Sequence, residues 1–263
     1  MDFPIGPGSG QTVLFNTTTI AAHATPLTKS NYTEMIASTA HHYTSLIVSG
    51  LGLTGVNFLV DIAVGAAASE QVILPNLIIP GSAGTYTCIQ VPIEIPVGSR
   101  VAVRVSATTG ASACYISVSG VTGNMWGSPP GGYIQDLATV LASGRGAGLD
   151  AGAVANTYPA TWTQVIASTT AQVSAISAIV GANNNSAIVG ALWRLQIGVG
   201  AASSEQVIAE LAFGSSTIHI NSTPSFWLPA DIPTGSRIAA RVRSSTVDAT
   251  DRVCQLGLYG LVS

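Results

Sequence analysis

Residues 62–73 read I-A-V-G-A-A-A-S-E-Q-V-I, and residues 197–208 read I-G-V-G-A-A-S-S-E-Q-V-I. Ten of the twelve positions agree at an offset of 135. A chain this poor in charge matches itself by chance over three or four residues, not over twelve. The sequence is therefore a tandem duplication, and its fold must be one that can be built twice.

Further matches flank this pair. V-I-A-S-T at 165–169 answers M-I-A-S-T at 35–39, and I-P-T-G-S-R-I-A-A-R-V at 232–242 answers I-P-V-G-S-R-V-A-V-R-V at 95–105. Cys254 answers Cys114. The offset grows in small steps from 130 to 140, which places short insertions between matched blocks, as expected of a shared framework with variable loops.

Between these blocks apolar and small polar residues alternate, with many β-branched side chains, as in T-V-L-F-N-T-T-T-I (12–20) and V-N-F-L-V-D-I-A-V (56–64). That period predicts strands. Others are expected over Thr44–Gly50, Glu70–Ile79, Tyr86–Ile93, Arg100–Ala107 and Cys114–Val121, separated by turn signals at 80–84, 95–99 and 108–112. The predicted fold is all-β, two tandem antiparallel β-sandwiches of jelly-roll type. Helix is expected at most over Tyr32–Ala40 and Gln135–Ala142. Residues 1–10 read as an extended arm, 11–122 as the first repeat, 123–132 as a Pro/Gly linker and 133–263 as the second repeat. Met125 and Trp126 in the linker are expected to dock on a domain face, and N-N-N (183–185) and R-G-A-G-L-D-A-G-A (145–153) to be loops.

Charged residues make up only 8% of the 263 and hydrophobic ones 47%. A surface so short of charge is expected to be covered by copies of itself or by a partner. No run approaches the ~18 apolar residues of a membrane span. The start, M-D-F-P-I-G-P-G-S-G-Q, has neither a basic region nor an apolar core, and predicts no secretory peptide. A net charge of −3 with one lysine, Lys29, offers no basic face to nucleic acid. Cys88, Cys114 and Cys254 cannot all pair within one chain and read as small apolar residues of a reducing compartment. Sequons at Asn16, Asn31, Asn184 and Asn221 are read as coincidences of an Asn/Thr-rich chain.

Glu70 and Glu205 occupy one repeat position, Arg100 and Arg237 another, Arg104 and Arg241 a third. Residues four apart in a strand share a face, so both arginines of a copy project together, opposite Val101, Val103 and Val105. A Glu–Arg bridge between strands is the expected role, because a fold needs its clamps in both copies whereas an active site usually survives in one. His23, His41, His42 and His219 form no ligand pattern, Ala171 and Gln172 standing where a second His pair would be, so no metal is expected. No nucleophile elbow, P-loop or zinc-protease motif occurs. Trp162, Trp193 and Trp227 with Tyr32, Tyr43 and Tyr158 are read as core or interface anchors before a carbohydrate-stacking platform.

S-E-Q-V-I-L-P-N-L (69–77), followed by I-P-V-G-S-R-V-A-V-R-V (95–105), resembles segments of virion proteins of tailed bacteriophages. The resemblance implies β-sandwich modules of a phage particle assembled in the host cytoplasm, and assigns no cofactor and no catalytic residue. On it rests the expectation of a capsid decoration (cement) protein without enzymatic activity, bound to a major capsid protein or other virion proteins. Duplication and symmetry then predict a homo-oligomer, with a trimer presenting six like units. A tail, collar or fibre-base protein, with or without glycan binding, is the competing class, and a polysaccharide-degrading enzyme the third.

Overall fold

The computed structural model describes residues 12–52, 56–79, 86–123, 133–138, 148–182, 191–215, 227–246 and 253–262. The expected arm, most of the linker with Met125 and Trp126, the N-N-N loop and His219 lie outside them.

The first copy supplies eight strands: β1 (Thr12–Ala21), β2 (Thr33–Ile36), β3 (Ser45–Gly52), β4 (Phe58–Val64), β5 (Gln71–Ile79), β6 (Tyr86–Val91), β7 (Val101–Ala107) and β8 (Ala113–Val121). The second supplies β9 (Tyr133–Ala138), β10 (Gly148–Asp150), β11 (Thr163–Ile166), β12 (Val173–Ala182), β13 (Ala191–Val199), β14 (Gln206–Ser215), β15 (Leu228–Ile232), β16 (Ile238–Ser244) and β17 (Val253–Val262). Every pairing between them is antiparallel.

In the first copy the sheet β1-β8-β3-β6 faces the sheet β2-β7-β4-β5. In the second, β10-β17-β12-β15 faces β11-β16-β13-β14, with β9 also on β17. The two orders are the same once β9 and β10 together are set against β1. This is the eight-stranded, two-sheet arrangement of a jelly roll.

Strand alternation explains the layers. Inward residues such as Leu46, Val60, Ile62, Val103 and Ile116 are fully buried in the first copy, as are Leu195, Ile197, Val242 and Cys254 in the second. Each such side chain contributes about 1.5–3 kcal/mol. The same motif turns the chain in both copies: Gly65 and Gly200 have φ of 117° and 132°, and a Cβ on either would sit 3.0 Å from the carbonyl oxygen of Ser69 or Ser204. Glycine is required there.

Three local expectations are corrected. The 32–40 stretch is not helical, because T-E-M-I alternates and pairs with β7, which buries Met35. Residues 133–138 extend along β17 as β9, since Ile134 and Leu137 find apolar cover on that sheet. Gly148–Asp150 resumes the same edge as β10 rather than looping, so the described part of the 145–153 stretch begins as a strand.

The two sandwiches meet through an edge and a face. β5 is the outer strand of its sheet, and its free side lies against the outer face of the β17 sheet. Tyr259, fully buried, donates its hydroxyl hydrogen to the Asn76 carbonyl (2.8 Å) and accepts from the Ile78 amide (2.9 Å). Asn76 Nδ2 donates to Asp136 (3.0 Å), Asn57 Nδ2 donates to Gln255, and the Trp227 indole donates to the Gln90 carbonyl (2.6 Å). Ile134, Ile179 and Leu261 join the first copy's core across this joint. An otherwise unpaired strand edge is thereby covered within the chain.

Candidate functional site

The matched charged residues form clamps on the outer faces of β2-β7-β4-β5 and β11-β16-β13-β14. Arg100, just before β7, donates from Nη1 to Glu70 (2.9 Å) and the Gly65 carbonyl (3.3 Å), and from Nε to Glu34 (2.8 Å). Arg237 repeats this with Glu205 (2.7 Å), the Gly200 carbonyl (3.2 Å) and Gln164 (2.9 Å). Glu34 has become Gln164, and the geometry is unchanged. The Glu70 carboxyl is held below its usual range chiefly by its own backbone amide, then by Arg100. Burial pushes Glu205 up, but Arg237 and the amides of Glu205 and Ser203 outweigh it, so it too lies low. Contact with Glu34 raises Arg100 further.

An open groove of about 710 Å³ runs beside the first clamp, lined by Gly65, Ala66, Gln71, Pro96 and Gly98. Its one charged wall residue, Arg100, is committed to the two glutamates.

The third matched pair diverges. Arg104 bonds Asp61 (2.9 Å), which also accepts from Lys29 (2.7 Å) and the Asn76 amide (2.8 Å), and its guanidinium lies 4.7 Å from the Tyr32 ring centre. Burial pulls the Lys29 ammonium down, and Asp61 opposes it. In the second copy Asp61 is replaced by Gln196, Tyr32 by Trp162 and Ala63 by Gly198. Arg241 donates to Gln196 (2.9 Å) and the Pro159 carbonyl (3.2 Å). Its guanidinium lies 4.3 Å from Trp162 and 5.0 Å from Tyr158, and that of Arg243 4.9 Å from Tyr158.

The network continues across the second copy's sheet. Gln196 Nε2 and Arg194 Nη1 each donate to Glu210 at 2.8 Å. Gln196, then Arg194, hold the Glu210 carboxyl below its usual value. Burial and the nearby Glu210 carboxylate raise Tyr158, and the Arg243 guanidinium opposes them. Arg194, Gln196 and Glu210 were not singled out from the sequence, whereas Tyr158 was, as a core or interface anchor. The signal was there in the divergence between copies, since Arg194 stands at the position of Leu59 and Glu210 at that of Pro75.

The other candidates scatter. Trp193 is buried in the second core, stacked on Phe213 with ring centres 5.9 Å apart, Tyr43 is buried in the first, and Trp227 seals the joint. His41 and His42 are exposed, His42 lying 3.9 Å from Glu94, and the His23 ring accepts from the Thr25 amide. Burial raises the Cys114 and Cys254 thiols to about 12.

No family model and no curated protein matches the chain. Among solved structures it is similar to PNGF-II, with a TM-score of 0.43 and 7% identity over 96% of this chain. It spans 65% of that protein's length. It is also similar to a peptide-N(4)-(N-acetyl-beta-D-glucosaminyl) asparagine amidase, with a TM-score of 0.36 and 10% identity over 94% of this chain and 96% of the other. The N-terminal CBM22-1–CBM22-2 tandem domain of Paenibacillus barcinonensis Xyn10C gives 0.26 and 7%, over 97% and 94%.

Two expectations are corrected by these findings. The decoration or cement role, with its tail, collar and fibre-base rivals, is withdrawn, as nothing in these comparisons supports it. The physical reason is that residues 69–77 and 95–105, which carried the resemblance, are framework: β5, the strand β7 and its clamp. They report a sandwich, not where it is used. The expectation of a chain without enzymatic activity is withdrawn as well, because it rested on the same resemblance and on missing linear motifs. Sheets bring together residues far apart in sequence, and missing linear motifs exclude no reaction on such a fold.

Proposed function

We propose that the outer face of the sheet β11-β16-β13-β14 binds glycans. The observation that carries this reading is the chain of polar contacts Arg194–Glu210–Gln196–Arg241, flanked by Trp162 and Tyr158. Sugars present an apolar C–H face and a rim of hydroxyls. Aromatic rings serve the first, and fixed guanidinium, amide and carboxylate groups the second. Sheet rigidity sets the spacing of these groups before a ligand arrives, which lowers the ordering cost of binding.

The comparison between copies supports a role beyond folding. The Glu–Arg clamps recur in both copies, as a fold requires, whereas Arg194, Glu210 and Arg243 replace Leu59, Pro75 and Ser106. Arg194 and Glu210 are half-exposed to exposed, at 54% and 34%, so their contacts contribute little to stability and are open to a ligand.

The test is a glycan microarray followed by calorimetry, with the same incubations examined for cleavage products. Binding that falls at least tenfold in Arg194→Ala and Arg243→Ala, with circular dichroism unchanged, supports the assignment. A protein that binds no glycan, or whose binding survives both changes, overturns it.

A further inference from the structure

The strands β1, β8, β3 and β6 contain not one Asp, Glu, Lys, Arg or His. Their sheet nevertheless has an outward face on which Thr17, Thr19, Tyr115 and Cys88 are exposed and Ser117, Ser119 and Ile47 half-buried. The Thr17 and Ser117 hydroxyls bond each other there (3.1 Å) instead of carrying charge into water. A solvated sheet of this size ordinarily displays charge.

The equivalent face of the second copy is covered. Gln255, Tyr259 and Leu261 stand at the positions of Tyr115, Ser119 and Val121, and they are buried against the first copy, Tyr259 on the β5 edge, Gln255 on Asn57 and Leu261 in the first core. The joint is therefore heterologous: an edge of one sandwich on the face of the next. The chain uses the β5 edge and the outer face of the β17 sheet internally, and their counterparts in the other copy are the β14 edge and the outer face of β1-β8-β3-β6. The β14 edge, equivalent to β5, pairs among the described residues only with β13. Val207 and Ile208 on it are 47% and 41% exposed.

We propose that copies of this chain associate head to tail, the β14 edge of one copy seating on the charge-free outer face of β1-β8-β3-β6 in the next. The occupant of that face is a second copy because its β14 edge descends from the strand that already fills the equivalent place inside the chain. Ala212 takes the part of Ile78, and Ser119 that of Tyr259. The β5 register shifts at Asp61, where Asn76 has a φ of 50°, whereas β14 pairs with β13 without a shift there. A straight edge needs no long hydroxyl arm to reach it, which suits the shorter Ser119. A heterologous joint closes into a ring or propagates as a filament according to its rotation.

Sedimentation and light scattering of the full chain across a concentration series test this. The expected result is a species larger than the monomer, reduced to monomer by Ser119→Arg on the face and separately by Ile208→Lys on the edge, each with unchanged circular dichroism. Because the joint is heterologous, mixing the two variants leaves one good edge and one good face, and restores a dimer that grows no further. A wild-type monomer at every concentration overturns the proposal, leaving the face to a different protein. So does an assembly that neither variant disturbs, or a mixture that stays monomeric. The glycan proposal stands or falls separately, because its test reads binding and this one reads mass.

Discussion

The ring of Trp162 occupies the space that a Cβ on Gly198 would fill, which would lie 2.8 Å from Cη2 and 2.9 Å from Cζ3. In the first copy these positions hold Tyr32 and Ala63. Volume has moved from the strand to the ring between copies, and the ring still stacks on its arginine. Gly198→Ala is expected to destabilise the protein by about 1–3 kcal/mol through overpacking. Adding Trp162→Tyr, which restores the first copy's pair, should recover most of that loss. Urea unfolding of the three variants reads both effects, and additive losses would show that the two sites are not coupled.

Tyr259→Phe removes a hydroxyl that serves two backbone groups of β5 at once. The Asn76 carbonyl and Ile78 amide are left buried without a partner, at about 1–3 kcal/mol for each group unless water enters. The loss falls on the joint, not on either core. Unfolding should therefore change from one transition toward two, seen as a lower urea midpoint with a broadened curve. A midpoint within error of wild type would show that the hydroxyl does not hold the joint.

The duplication, the jelly-roll strands and the Glu–Arg clamps were legible because each is written in local pattern: period-two alternation, turn residues and a repeated E…R spacing. Thr33–Ile36 was missed as a strand because four residues give a periodicity too short to separate from helix. The contact between Tyr259 and Asn76 was not legible, because nothing local links residues 183 positions apart. The Arg194–Glu210 network was not legible for a different reason: it lies in what the copies do not share, and repetition marks only what they do.

The three cysteines should separate cleanly toward a thiol reagent at neutral pH. Cys88 is exposed, while burial raises the Cys114 and Cys254 thiols to about 12, leaving almost no thiolate. One equivalent should react in the native protein, diluted so that the face carrying Cys88 is uncovered, and three after denaturation. Cys88→Ser should abolish the native reaction, and residual labelling of that variant would place Cys114 or Cys254 within reach of solvent.

Acid should act through Glu70 and Glu205 in the same direction. Both carboxyls lie below the ordinary value of 4.5 in the folded chain. A depressed folded pKa gives stability that is present above the unfolded value and lost as pH falls through the folded one. Wild type should thus lose stability below about pH 4.5 as the clamps are protonated. Glu210 is also depressed and contributes to the same slope, so the informative quantity is a difference between proteins. The double variant Glu70→Gln, Glu205→Gln should be less stable than wild type at pH 7, and the gap should close as pH falls, because protonated wild type has lost the same charges. Thermal unfolding at a series of pH values measures the gap. A difference that stays constant down to pH 3 would mean that these glutamates hold the strands by hydrogen bonding alone, without help from their charge.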